Sequence, residues 1–436
     1  MTTPPPPTAS ATADLHRVVD AVWRMESARI VGALARVTGD VGLAEELAQD
    51  ALVAALEQWP DTGVPAKPGA WLMATAKHRA IDTFRRAQNL QRKTQELGRS
   101  LVQDESAEED WAAALDEVVE DDVLRLVFIS CHPVLSREAR VALTLRLVGG
   151  LSTDEIARAF LVPEKTLAQR VVRAKRTLTA ARVPFEMPTG TDFTARLSSV
   201  LEVLYLIFNE GYAATAGEDL TRPALCQEAM RLGRILAGLV RGESEVHGLV
   251  ALLQLQASRL AARIGPGGES VLLADQDRGR WDRVLITRGL AALEEAERTA
   301  RDALGPYALQ AAIAACHARA RSVEETDWAR IAGAYEALAA LSPSPVIELN
   351  RAVAVSRAYG PAAGLELADA LLGVPALSSY HLLPAVRGDL LHSLGRDAEA
   401  RTEFERAAGL TRNERERALL LGRAADCGGS AGLPTP

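Results

Sequence analysis

The sequence predicts an all-α protein, and three observations lead there. Ala, Leu and Arg dominate while aromatics make up only 4%, a bias toward helix formers and away from strands. Amphipathic stretches follow one another along most of the chain, separated by Gly/Pro breakers. No apolar run approaches the ~20 residues needed to span a bilayer, so no membrane partner is expected. At 436 residues there is room for roughly two to four domains with cores of their own. The expected parts are an N-terminal helical bundle, a helix-turn-helix domain and a C-terminal helical-repeat domain.

The N-terminus, MTTPPPPTASATAD, has four consecutive prolines and no basic-then-apolar layout. Residues 1–13 are therefore expected as a disordered tail and not a signal peptide. Asp40 to Trp59, DVGLAEELAQDALVAALEQW, is acidic and strongly helical; DTGVPAKPG breaks it, and AWLMATAKHRAIDTFRRAQ starts a basic helix. Ala74 to Lys93 holds six basic residues against Asp82 alone, and Glu164 to Arg182 again holds six against Glu164. Between them, Glu96 to Asp122 carries eleven acidic residues and only Arg99, an acidic linker assigned to residues 94–122. In a chain of formal net charge −8, two separate basic segments point to two contacts with a polyanion.

The second basic segment is LSTDEIARAFLVPEKTLAQRVVRAKRTL, Leu151 to Leu178. Ser152 with Glu155 three residues on is a capping-box signature, and Pro163 fits the first turn of a following helix. In that helix Leu167, Val171, Ala174 and Leu178 share one stripe and face inward, which leaves Thr166, Gln169, Arg170, Arg173 and Arg176 outside. Such a face suits the major groove, where Arg pairs with guanine and Gln with adenine. The competing reading is a solvated amphipathic helix with incidental arginines. Many such units have Gly in the turn, where this one has Leu161. The cysteines (Cys131, Cys226, Cys316, Cys427) form no C-x-x-C pair and read as reduced, mostly buried thiols of a cytoplasmic protein. Cys131 beside His132 lacks a second pair at ligand spacing, so no metal is expected.

Taken in order, the acidic helix, the Trp-Leu segment, the basic R-A-I-D-x-x-R-R helix, the acidic linker and the helix-turn-helix resemble bacterial extracytoplasmic-function (ECF) sigma factors of the sigma-70 family. Residues 14–93 resemble sigma region 2, and 123–185 resemble region 4. The resemblance implies partners and roles. Glu45, Glu46, Gln49 and Asp50 would dock on the β′ clamp of core RNA polymerase, and the β flap would be a further contact. Trp71, Lys77, His78, Arg79, Asp82, Arg85 and Arg86 would melt and read the −10 element of promoter DNA, which needs cations along the single strand and a wall behind an extruded base. Lys165, Thr166, Gln169, Arg170, Arg173, Lys175 and Arg176 would read the −35 element. Trp71 could instead be core, His78 a plain surface residue, and Asp82 a carboxylate that orients Arg79 or Arg86.

Beyond a hinge at Glu186 to Gly190 the chain continues as a helical domain over 188–436. Gly388, Leu391, Gly395, Ala400, Phe404 and Ala407 stand where a tetratricopeptide repeat wants small or bulky residues, and PVIELNRAVAVSRAYGPAAGLELADALL looks like a looser copy, placing repeats near 345–412. LYLIFNEGYAATAGEDLTR, LLADQDRGRWDR and SPVIELNRAVAV resemble a sigma-factor subgroup with such a domain, whose ligand would be a protein or peptide. Asp275, Asp277 and Asp282 lack calcium-loop spacing and read as caps and salt bridges. Glu210 and Tyr212 could line a pocket or form a packed turn. With no P-loop, G-x-S-x-G or zinc motif, no catalytic residue, cofactor or enzyme activity is expected. The alternative to a sigma factor is a free-standing helix-turn-helix regulator with a repeat-based sensor domain, and a more distant one is an enzyme with an unrecognised site in its helical half.

Overall fold

In a computed structural model of the protein, described for residues 9–95, 122–160, 162–212, 221–266, 271–411 and 414–427, every regular element is a helix. The chain divides into two compact units, residues 1–210 and 211–436.

The first unit opens with α1 (Ala9–Thr38), α2 (Val41–Thr62) and α3 (Pro68–Gln95). Helix α1 starts inside the stretch expected as a tail, because Ala9, Ala11 and Ala13 favour helix once the prolines end. Asp40 caps α2 by accepting from the backbone of Gly42 and Leu43, and Gly63, at φ +78, ends it. The three helices pack on one another around Ile30, Leu34, Trp59 and Leu72, all fully buried. Residues 1–8, most of the acidic linker and Leu161 lie outside the described residues.

Helix α4 (Asp122–Ser130) packs on α1, closely enough that a Cβ on Gly32 would lie 2.9 Å from the Asp122 carbonyl oxygen. Asp122, assigned to the linker, is instead buried at the start of α4, where Arg36 (3.0 Å) and Arg125 (2.7 Å) neutralise it. Helices α5 (Arg137–Leu147), α6 (Thr153–Ala159) and α7 (Glu164–Ala180) follow. Both hydrogen bonds of the Ser152–Glu155 capping box are present at the start of α6. Pro163 sits one position earlier than expected, at the N-cap of α7, where its ψ of 136° supplies the extended backbone that an N-cap needs. Helix α8 (Gly190–Tyr212) comes after the non-helical segment Ala181–Thr189. It is tied to α5 through buried Arg140, which donates to Ser199 Oγ and to Glu202 (3.2 Å).

The second unit contains α9 (Pro223–Leu239), α10 (Ser244–Ala257), α11 (Arg283–Thr299), α12 (Pro306–Arg319), α13 (Trp328–Leu341), α14 (Pro345–Tyr359), α15 (Pro361–Asp369), α16 (Leu382–Ser393), α17 (Asp397–Leu410) and α18 (Glu414–Asp426). From α12 onward each helix packs on the next, the pattern of a stack of hairpins. Gly388 of α16 admits the Phe404 ring of α17, where a Cβ would come within 2.8 Å, and Gly395, at φ +74, turns the chain between them. Gly364 lets α15 close on α14 in the same way. Asp282 caps α11, accepting from Val284 (2.9 Å) and Leu285 (3.0 Å), and Asp277 accepts from Gly279 (2.8 Å). All four cysteines are buried, and none forms a disulfide.

Candidate nucleic-acid interface

Helix α7 is built as its periodicity implies. Leu167, Val171, Ala174 and Leu178 are buried against α5 and α6, while Lys165, Thr166, Gln169, Arg173 and Arg176 are exposed and Arg170 is half-covered. The capping box closes the first turn of α6 before it. Burial raises the Glu155 pKa, but hydrogen bonds from the Ser152 backbone and hydroxyl and the charge of Arg24 outweigh it and leave the carboxyl below the usual range. Arg24 on α1 pairs with the same carboxylate, so one residue caps α6 and ties it to the N-terminal bundle.

On α3, His78, Arg79, Asp82, Arg85 and Arg86 are exposed and Lys77 is half-covered; side chains beyond Arg86 on this helix lie outside the described residues. Asp82 forms no ion pair with Arg79 or Arg86 among the described residues. Trp71 is half-buried and stands edge-on to buried Trp59, with centroids 5.4 Å apart and planes at 65°. Core packing and partial exposure are both true of it.

The acidic face of α2 requires a correction. Glu46 and Asp50 are exposed and Gln49 is half-covered, but Glu45 is only 4% exposed. Arg146 of α5 reaches its Oε1 at 2.6 Å, Lys175 of α7 pairs with Oε2, and Gln49 donates to Oε1 as well. Lys175 is correspondingly turned from the outward set and only 18% exposed at the side chain. The reason is physical: a carboxylate facing the joint between helices is stable only when cations and donors surround it. Two residues assigned to different partners thus hold each other. Arg146 was missed by sequence reasoning; its signal was a lone charge in the apolar run VALTLRLVGGL, and its second bond, to the Leu151 carbonyl at 3.0 Å, fixes the approach to α6.

Beside α7 lies an apolar groove of about 220 Å³, walled by Val141, Ala142, Ile156, Phe160, Leu167 and Leu206. Arg137, Arg170, Glu138 and Glu210 form its rim. At Cys131, burial pushes the thiol up to about 11, and its Sγ lies 3.2 Å from Thr144 Oγ1. Among the described residues no helix is long and apolar enough to cross a membrane.

Comparison with known proteins covers nearly the whole chain. Residues 23–90 match the model for Sigma-70 region 2, residues 125–178 that for Sigma-70 region 4, and residues 196–297 a family of unknown function (DUF6596). An uncharacterized protein of Rhizobium meliloti (strain 1021), R00370, is 46% identical over 392 residues, 89% of this chain and 91% of the relative. The ECF RNA polymerase sigma factor SigL of Mycobacterium tuberculosis (strain ATCC 25618 / H37Rv) is 31% identical over 146 residues, 33% of this chain and 76% of SigL. The probable ECF RNA polymerase sigma factor SigI of the same strain is 27% identical over 168 residues, 38% of this chain and 57% of SigI. No solved structure matches.

Proposed function

Because the chain belongs to the ECF group of the sigma-70 family of RNA polymerase sigma factors, we propose that it is a non-catalytic cytoplasmic subunit that brings core polymerase to a promoter and opens the DNA there. The observation that carries this reading is the α7 helix, with a fully buried apolar stripe opposite an exposed Thr/Gln/Arg face, in one unit with the exposed basic face of α3. Arg173 and Gln169 suit base edges, and Lys165 and Arg176 suit phosphates. On α3, Arg79, Arg85 and Arg86 would hold the displaced strand while Trp71 backs an extruded base. Glu46 and Asp50 are the accessible acids for the β′ clamp, and the groove beside α7 has the apolar character to receive a helix of the β flap.

The second unit is read as a tetratricopeptide-like platform for a protein or peptide that enables activity. Its close helix pairs at Gly364 and Gly388 support that reading. Run-off transcription with purified core polymerase is the test. Promoter-specific transcripts should appear with the intact chain and disappear with Asp50→Arg, which leaves the helical circular dichroism unchanged. Transcription by core that is indifferent to the added protein would reject the reading.

A further inference from the structure

Two sequence motifs that promoter binding does not use meet in the second unit. Tyr212 ends LYLIFNEGY, and Arg278 and Trp281 come from LLADQDRGRWDR. They converge with Arg259 and Arg263, just past α10, and with His317 in the last turn of α12. Arg259 donates through Nη2 to the Tyr212 hydroxyl at 2.8 Å and to Gln256. Arg263 lies 3.7 Å from the centroid of the Tyr212 ring and donates to the Tyr212 carbonyl. Arg259 and Arg278 both face the buried ring of Trp281, at 5.8 and 4.8 Å from its centroid. Arg278 Nη1 donates to the carbonyls of His317 (2.6 Å) and Ala320 (3.1 Å).

Three half-buried cations thus surround two aromatic rings, and among the described residues none of the three forms an ion pair with a carboxylate. In the same unit Arg387 is neutralised by Asp369 and Glu403, Arg396 by Glu399 and Arg401 by Glu405, whereas Arg241 and Arg280 bond only to backbone carbonyls but stand apart from one another and are exposed. Burial, then repulsion from Arg263 and Arg278, holds the Arg259 pKa below its usual range despite the Tyr212 contact. Burial, then Arg259 and Arg278, pushes His317 down to about 4, so its ring adds no charge at neutral pH. Cation–π contacts recover only part of what desolvation of a guanidinium costs. Nε and Nη1 of Arg259, and Nε and Nη2 of Arg263, have no hydrogen-bond partner among the described residues. Fork donors in a half-covered setting are what an oxyanion site requires, and the carboxylates near enough to act on the cluster, Glu324 and Glu325, offset the burial of Arg278 without pairing with it.

We propose that Arg259, Arg263 and Arg278 form a binding site for a small oxyanion of at least two charges, a phosphate ester or a polycarboxylate, placed against Tyr212 and Trp281. The cluster stands at helix ends and is partly covered, unlike the open face of α7, which argues for a small anion over an extended polymer.

Thermal unfolding of the full-length protein, titrated with pyrophosphate or citrate at constant ionic strength, tests this. A saturable rise of roughly 5 °C is expected near a hundredfold excess over the dissociation constant. Arg263→Gln should abolish it, Arg263→Lys should restore part of it, and Arg173→Gln on α7 should leave it intact. A response to pyrophosphate alone assigns a phosphoryl group, and a response to both assigns the shared oxyanion chemistry. No saturable rise, or one that survives both Arg263→Gln and Arg278→Gln, overturns the proposal and leaves the promoter-binding reading untouched.

Discussion

At the scale of single residues, exposure separates side chains that recognise from those that hold the fold. Arg173 is exposed on α7 and makes no ion pair among the described residues, so Arg173→Ala removes recognition without opening the core. If it reads a base edge, affinity for the −35 element should fall by about 1–3 kcal/mol at that position only; if it meets phosphate, binding weakens evenly and the salt slope drops by about one, both read from binding titrations at several salt concentrations. His317 gives a pH signature. Burial and the charges of Arg259 and Arg278 hold its folded pKa at about 4, below the ordinary imidazole value of 6.5, so between those values the unfolded chain holds a proton that the folded one does not. Stability is therefore complete above pH 6.5 and declines as pH falls toward 4, by up to about 3 kcal/mol from this ring. His317→Gln should flatten that part of the acid-side curve in melts recorded against pH. The residue scale is also where the sequence was least legible. Glu45 was read as an exposed docking acid, but its partner Arg146 is 101 residues downstream, and no local periodicity reveals such a neighbour.

At the scale of elements, local patterns were informative because their causes are local. The Ser152–Glu155 capping box and the Leu167, Val171, Ala174, Leu178 stripe each depend on spacings within one or two turns, and both are found as read. The anion cluster was not legible, since Tyr212, Arg259 and Arg278 come from three segments brought together only by packing. Small residues at helix contacts allow a paired prediction. Gly388→Ala gains about 1 kcal/mol of helix propensity but drives a methyl to 2.8 Å from the Phe404 ring, and overpacking of this kind costs about 1–3 kcal/mol. It should destabilise the α16–α17 pair. Gly333→Ala on α13, with nothing within 4 Å of the new methyl, should stabilise by about 0.5–1 kcal/mol. Denaturant midpoints of the two variants should move in opposite directions.

At the scale of the whole molecule, the boundary between units falls within the last turn of α8, well beyond the expected hinge. Deleting everything after Met187 therefore removes more than an appendage. Ser199 and Glu202 leave Arg140, and the Phe193 ring leaves Phe128, whose centroid it meets at 5.4 Å. Such a truncation should melt at lower temperature and support less run-off transcription than the full chain, whereas a cut after Glu210 should keep the first unit's melting. A truncation after Met187 that transcribes as well as or better than the intact protein would show that the extension only restrains. The carboxylate of Glu45 has a consequence of another kind. Arg146 and Lys175 grip it together, so the helix proposed to dock on polymerase and the helix proposed to read DNA share one latch. If docking on polymerase or reading DNA draws α2 and α7 apart at this contact, the partner that arrives first breaks it on behalf of the second. Thermodynamic reciprocity then requires that core polymerase tighten promoter binding by the same factor by which the promoter tightens core binding. Glu45→Gln should bring that factor toward one, turning a cooperative assembly into two independent encounters.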